Sequence, residues 1–189
     1  MQISRMQLAA AGGAQTQAGF ALEDVFVRHK DLVFRAAYRI TGNAGDAEDV
    51  LQTVFLRLAK QDHLPEIQSL PAYLHRSAVN ASLDLLRRGK KNPVLSLDDE
   101  KDASGREAAL VPPEQPSLEI RQWLRLALAR LNPRWAEMFV LRFIEDYTNS
   151  EIAGMMKTSP AVVAVVLHRA RTQLKKDFKS RNTMARGRQ

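Results

Sequence analysis

Asn149-Ser150-Glu151-Ile152-Ala153-Gly154-Met155-Met156, followed by Lys157-Thr158-Ser159 and then Pro160-Ala161-Val162-Val163-Ala164-Val165-Val166-Leu167-His168-Arg169-Ala170-Arg171, is the most informative run in the chain. Its first eight residues spell a short helix. Three residues connect it to the next helix, where Ser159 is suited to cap and Pro160 takes the favoured first helical position. A short helix, a tight turn and a second helix ending on basic residues make the helix-turn-helix plan, in which the second helix enters the major groove of DNA. The same spacing also fits an ordinary helical hairpin, so the surrounding sequence has to separate the two.

The second helix has a clear inner face. With Val163 at its centre and about 100° per residue, Leu167, Ala170 and Leu174 fall within about 40° of it. Val162 then lies about 100° to one side and Val165 about 160° away, pointing outward. Four β-branched residues, Val162, Val163, Val165 and Val166, lower the helix propensity here, a local conflict of the kind found at functional sites.

Upstream, three-to-four spacing of apolar residues predicts helices over Leu118–Leu131 and Pro133–Ile144, and a further helix running from Pro160 to about Lys179. In the N-terminal half the same spacing runs through Val25/Phe26, Leu32/Val33, Ala36/Ala37 and Ile40. It continues through Val50/Leu51, Val54/Phe55 and Leu58, and then Leu70, Tyr73/Leu74, Ala78, Leu83 and Leu85/Leu86. Thr41-Gly42-Asn43 closes the first of these helices, and Asp46 and Asp49 place carboxylates at the positive end of the second. Leu64-Pro65 is expected to end that helix, and Pro71 stands in the first turn of the third. No segment alternates as a strand does. The fold class is therefore all-α.

Charge and proline divide the chain. Residues 1–95 carry 12 basic and 9 acidic groups, residues 96–119 carry 2 and 7, and residues 120–189 carry 14 and 5. The middle block holds Asp98-Asp99-Glu100 and Pro112, Pro113 and Pro116, and reads as a flexible acidic linker. The expected organisation is a mobile N-terminal tail over 1–19, a helical bundle over 20–92, the linker over 93–116, a helix-turn-helix bundle over 117–180 and a basic tail over 181–189. A helix reaching into 1–19 is the alternative at that end.

Composition excludes several functions. The 189 residues carry 28 Lys+Arg against 21 Asp+Glu, a net charge of +7, which favours a polyanionic partner. Without cysteine there is no disulfide framework, thiolate nucleophile or Cys-containing zinc site. His29, His63, His75 and His168 lack metal-ligand spacing, and no Gly-rich phosphate loop is present, so neither an enzyme nor a cofactor is expected. The longest apolar run, Ala161–Leu167, is far short of the roughly 18 residues of a membrane span. The N-terminus lacks the basic start and apolar core of a secretory signal, and the expected location is cytoplasmic.

The ordered set of motifs resembles the extracytoplasmic-function (ECF) sigma factors of the sigma-70 family, promoter-recognition subunits of bacterial RNA polymerase. Gly45-Asp46-Ala47-Glu48-Asp49-Val50-Leu51-Gln52-Thr53-Val54-Phe55-Leu56-Arg57 is similar to the helix with which region two of that family grips the polymerase clamp. Tyr73-Leu74-His75-Arg76-Ser77-Ala78-Val79-Asn80, continuing to Arg87-Arg88, is similar to the helix after it. Leu131-Asn132-Pro133-Arg134 through Val140-Leu141-Arg142-Phe143, with the helix-turn-helix, resembles region four. The resemblance spans about residues 20–180.

It implies three surfaces. Asp46, Glu48, Asp49, Gln52, Thr53, Leu56 and Arg57 would bind core polymerase. Tyr73, Arg76, Asn80, Arg87, Arg88, Lys90 and Lys91, with the loop over 62–72, would capture minus-ten promoter DNA as the duplex melts. There Tyr73 offers a stacking face, Asn80 offers both a donor and an acceptor, and the basic run Arg87-Arg88-Gly89-Lys90-Lys91 neutralises phosphates. Asn80 has an alternative role as a buried amide bridging helices. Lys157, Thr158, Ser159, Val162, Val165, His168, Arg169 and Arg171 would meet the minus-thirty-five element. Core polymerase, promoter DNA and an anti-sigma factor are the implied partners, and the linker would thread along polymerase's nucleic-acid channels.

One stretch departs from the family pattern. A turn glycine and a Lys-Ser-Arg-like triplet are usual where this chain has Lys157 and Ala164-Val165-Val166. Valine and alanine reach a thymine methyl but cannot make the bidentate hydrogen bonds worth about 1–3 kcal/mol of base discrimination. Relaxed or methyl-based reading of DNA, or a protein contact on the valine face, both fit. Two rival functions also stay open: a helix-turn-helix regulator acting without core polymerase, and a sigma-like interaction protein with weakened minus-thirty-five reading.

Overall fold

The computed structural model describes residues 7–60, 70–91 and 118–186, with side chains described for 22–60, 70–89 and 118–181. All the regular structure there is helical: α1 (Gln7–Thr41), α2 (Ala44–Ala59), α3 (Leu70–Lys91), α4 (Leu118–Arg130), α5 (Pro133–Phe143), α6 (Asn149–Met155) and α7 (Pro160–Arg186). The linker over 93–116 lies outside the described residues, as do Leu64-Pro65 and most of the 62–72 loop. Residues 1–19, expected as a tail, are helical from Gln7 onward. Ala9-Ala10-Ala11 and the flanking glutamines are good helix formers, and they extend a helix whose later turns are already packed.

The first unit is α1, α2 and α3 around Val33, Ala36, Ala37, Val50, Val54, Phe55, Leu58, Leu74, Ala78 and Ala81. Gly42 turns the chain between α1 and α2 with φ 68, a left-handed conformation that favours glycine. Asn43 then caps α2, its side chain accepting the Asp46 backbone N–H at 2.9 Å. Asn43 therefore begins the second helix as well as ending the first.

The second unit is α4 to α7, and its core does not stop at its own boundary. Ile40, Val79 and Leu83 of the first unit are buried in one cluster with Leu128, Leu131, Met138, Leu141, Ile152, Val163 and Leu167. The reason lies in α3, which has two apolar stripes. Leu74, Ala78, Ala81 and Leu85 face α1 and α2, while Val79, Leu83 and Leu86 face the second unit. The two bundles thus share a helix's worth of core. At about 1.5–3 kcal/mol for each fully buried aliphatic side chain, that sharing is a substantial part of what holds them together.

Candidate functional site

The helix-turn-helix forms as its sequence suggests. Thr148 caps α6 in a capping box, its hydroxyl accepting the Glu151 N–H while the Glu151 carboxylate accepts the Thr148 N–H at 2.8 Å. The Thr148 hydroxyl and backbone hold the Glu151 carboxyl below the usual carboxylate range. Helices α6 and α7 meet at 104°, within the range of this motif. Among the described residues no single helix is long and apolar enough to cross a membrane.

Lys157 sits in the turn with φ 49, the left-handed region, at the position where the family pattern has glycine. Holding a lysine there costs about 1–2 kcal/mol, and glycine would return about 0.4–1 of that through greater freedom of the unfolded chain. Lys157→Gly is accordingly expected to raise stability by about 0.5–1 kcal/mol in a denaturant titration. An unchanged or lowered midpoint would contradict strain at this turn.

On α7, Val163, Leu167, Ala170 and Leu174 are buried, as the periodicity requires. Val162 and Val165 are 44% and 50% exposed, and Ala161, Ala164, His168, Arg169 and Arg171 share the outward side with them. Val166 packs against the core, so only part of the Ala164-Val165-Val166 departure is available to a partner. Ser159 caps α7 by accepting the Val162 N–H at 3.3 Å, and Thr158 is half-buried with its N–H on Ala153. The Arg171 and Arg142 guanidiniums lie 5.7 and 5.9 Å from the Phe143 ring centre, so both cations rest on one exposed aromatic.

On α2, Glu48, Asp49, Gln52, Leu56 and Arg57 are exposed while Asp46 and Thr53 are half-buried. Leu56 is 60% exposed, a large apolar side chain left in water. It borders an open groove of about 560 Å³ between α1 and α2, lined by Leu22, Phe26, Gln52, Phe55, Leu56 and Ala59. Leu22 and Phe26 contribute to this apolar surface from α1; the sequence placed Phe26 on the apolar repeat of that helix and did not single out Leu22. A groove with an apolar floor and charged neighbours suits a partner helix.

The α3 residues have a different environment. Tyr73 is half-buried against the first core, Arg88 is exposed, and Arg87 pairs with Asp84 at 3.0 Å. Lys90 and Lys91 form the last turn, their side chains outside the described residues. Arg76 and Asn80 are engaged by the second unit. Glu137 Oε1, on α5, accepts from Arg76 Nε at 2.6 Å and from Asn80 Nδ2 at 2.9 Å. Arg76 also donates through Nη1 to the Met155 carbonyl at 2.7 Å. Asn80 is thus the interhelical bridge that its amide allowed.

A second acid completes the contact. Glu145, its side chain 1% exposed, pairs with Arg39 of α1 and with His75 Nε2 of α3 at 2.6 Å. Burial pushes its carboxyl up, but the hydrogen bonds and charges of His75 and Arg39 outweigh burial and hold it below the usual glutamate value. The same carboxylate raises the Arg39 guanidinium. Glu137, Glu145 and Arg39 were not singled out by the sequence either. Lone acids in a basic segment carry no spacing signal, and only the folded contact reveals them. Among the described residues no group of three or more His, Asp or Glu could hold a metal ion.

Comparison with known proteins agrees with this anatomy. Sigma-70 region 2 matches residues 25–92 and sigma-70 region 4 matches residues 121–174. The chain is 32% identical to the ECF RNA polymerase sigma factor SigE of Mycolicibacterium smegmatis, over 84% of this chain and 62% of that protein. It is 31% identical to the RNA polymerase sigma factor CarQ of Myxococcus xanthus, over 82% of this chain and 87% of that one. The solved structure of CnrH in complex with the cytosolic domain of CnrY shares the fold, with a TM-score of 0.51 at 20% identity, over 90% of this chain and 95% of that one. With both regions present, in order and in one chain, this protein belongs to the sigma-70 family of RNA polymerase sigma factors, in its extracytoplasmic-function group.

Proposed function

We propose that this chain is a transcription initiation factor and not an enzyme, working in the cytoplasm by binding core RNA polymerase and directing it to promoters. The observation that carries this reading is the ordered pair of region 2 and region 4 matches. In this reading α2 docks on polymerase through Asp46, Glu48, Asp49, Gln52, Thr53, Leu56 and Arg57, with the neighbouring apolar groove widening the contact. Helix α3 holds the melted minus-ten strand through Tyr73, Arg76, Asn80, Arg87, Arg88, Lys90 and Lys91. Unstacking the bases costs free energy that contacts to the exposed strand offset.

The α6–α7 unit, in the same reading, docks near the minus-thirty-five element. Lys157, Thr158, Ser159, His168, Arg169 and Arg171 supply phosphate contacts, and Val162 and Val165 supply apolar ones. Because α7 presents alanine and valine outward, we assign it more positioning than base discrimination. An anti-sigma factor is the regulatory partner that family membership suggests.

Co-purification with core polymerase tests the docking assignment. Leu56→Arg, a surface change that leaves the core of the first unit intact, is expected to reduce core binding at least tenfold with no loss of thermal stability. Retained affinity in this variant would remove α2 as the polymerase-binding helix.

A further inference from the structure

The outward face of α7 begins without a hydrogen-bonding side chain. Ala161, Val162, Ala164 and Val165 are exposed over its first two turns, and His168 is the first polar side chain after them. Just before them, the Ser159 hydroxyl oxygen already accepts the Val162 N–H, and the Thr158 N–H is spent on the Ala153 carbonyl. Val162 and Val165 are nonetheless 44% and 50% exposed, so the start of the helix holds branched methyl groups in water. Further along, the exposed Arg169 and Arg171 fall on either side of His168 at about 100° per residue, and so flank this face with cations. Phosphates alone would make no use of the methyl groups, and an apolar protein surface would make none of the cations. The major groove beside thymine offers both, a C5-methyl group on the base edge and phosphates along the rim.

We propose that α7 reads minus-thirty-five DNA through thymine methyl groups: Val162 and Val165 pack on the C5-methyls of neighbouring bases, so the helix selects a 5-methylated pyrimidine in place of a hydrogen-bonding pattern. This rests on the placement of α7 against minus-thirty-five DNA made above, and names what discrimination that positioning helix makes. The two valines are three residues apart, about 4.5 Å along the axis, close to the roughly 3.4 Å of one base step. A valine in a helix keeps essentially one χ1 rotamer, so its methyl groups are in place before docking and little side-chain freedom is lost. Ala161 and Ala164, with the shortest side chains on the face, let the helix backbone approach the base edges. The β-branched run that weakens the helix thereby acquires a use at its two exposed members. A methyl reader also responds equally to thymine and to 5-methylcytosine, which carry the same group at C5.

The full chain bound to core RNA polymerase supplies its own probe, by selecting duplexes from a pool of randomised sequence. Each thymine of a selected duplex is then replaced by deoxyuridine, which removes the methyl and keeps the base pair. Competition binding is expected to show a loss of about fourfold at each thymine under α7, the ratio that burying one methyl-sized group gives. Val162→Ala combined with Val165→Ala is expected to bind the thymine duplex more weakly and to lose this sensitivity, while binding the deoxyuridine duplex as wild type does. Alanine is the better helix former, so the variant keeps its fold. Arg171→Ala, a phosphate contact in the same reading, should weaken thymine and deoxyuridine duplexes by the same factor. With a C·G pair at a sensitive position, 5-methylation of the cytosine should restore about fourfold.

Equal affinity for thymine and deoxyuridine duplexes at every position would overturn the proposal. So would a deoxyuridine effect that survives in the double valine variant at all positions, because the methyl would then act through duplex shape. Thymines whose effect persists in that variant while others lose theirs lie outside the α7 contact and serve as the internal reference. Failure of the underlying reading looks different: core polymerase with the chain would then enrich no sequence from the pool, and the proposal would fall with it.

Discussion

Leu83→Ala is expected to lower the unfolding free energy by about 2–5 kcal/mol, the range for truncating a buried leucine. Leu83 is 1% exposed and lies on the α3 stripe that enters the second core beside Val79, Leu128, Leu131, Met138 and Leu141. The size of the effect discriminates between two arrangements of the same helices. If the two bundles stood apart in solution, Leu83 would face water, and its truncation would cost within about 0.5 kcal/mol, as surface changes do. Leu74, fully buried on the opposite stripe of α3, is the comparison, because Leu74→Ala costs a full core truncation in either arrangement. Urea titration of both variants measures the contrast, and a loss below about 0.5 kcal/mol for Leu83→Ala alone would show that the shared core does not form.

Removing the Glu145 side chain should cost about 2–4 kcal/mol at pH 7, since truncating one partner of a buried ion pair leaves the others desolvated and unpaired. His75 is the more exposed to this loss in energetic terms. Its side chain is 5% exposed, its Nδ1 has no hydrogen-bond partner among the described residues, and Glu145 is the partner of its Nε2. Arg39 is 47% exposed and can return to water, which keeps the estimate from the top of the range. The groups facing Glu145 are Arg39 from α1 and His75 from α3, with Tyr147 close by on its own turn.

The pH dependence follows in sign from the depressed carboxyl. Glu145 is easier to ionise folded than unfolded, so its stabilisation is complete above the ordinary glutamate value of about 4.3 and is lost as pH falls through the lower folded value. The stability gap between wild type and Glu145→Ala is therefore expected to be smaller at pH 3 than at pH 7. Thermal unfolding at the two pH values measures it. A gap that holds steady or widens in acid would mean that the carboxylate is not the group stabilising the contact.

Periodicity carried most of the fold because most of these helices have a single apolar stripe. Val163, Leu167, Ala170 and Leu174 repeat at helical spacing, and all are buried where that spacing puts them. Pro160 and Pro133 mark helix starts because proline fits only the first turn without loss of a hydrogen bond. Helix α3 was legible as a helix but not as a shared one. A second stripe of Val79, Leu83 and Leu86 looks like generous hydrophobicity until another bundle is laid against it. The candidate surfaces show the same limit. Family-like residues such as Asn80 and Leu56 stand out from their motif, whereas Glu137, Glu145 and Arg39 act only through partners 57, 70 and 106 residues distant in sequence. Lys157 is intermediate: the missing glycine was visible, and its left-handed backbone explains why glycine is favoured there.

Run-off transcription with purified core RNA polymerase addresses initiation most directly. Core enzyme plus this chain, on fragments spanning the genome of its source, is expected to produce discrete transcripts that core enzyme alone does not make. Binding to core polymerase with no added transcript on any fragment would contradict the assignment and leave a sigma-like interaction protein in its place.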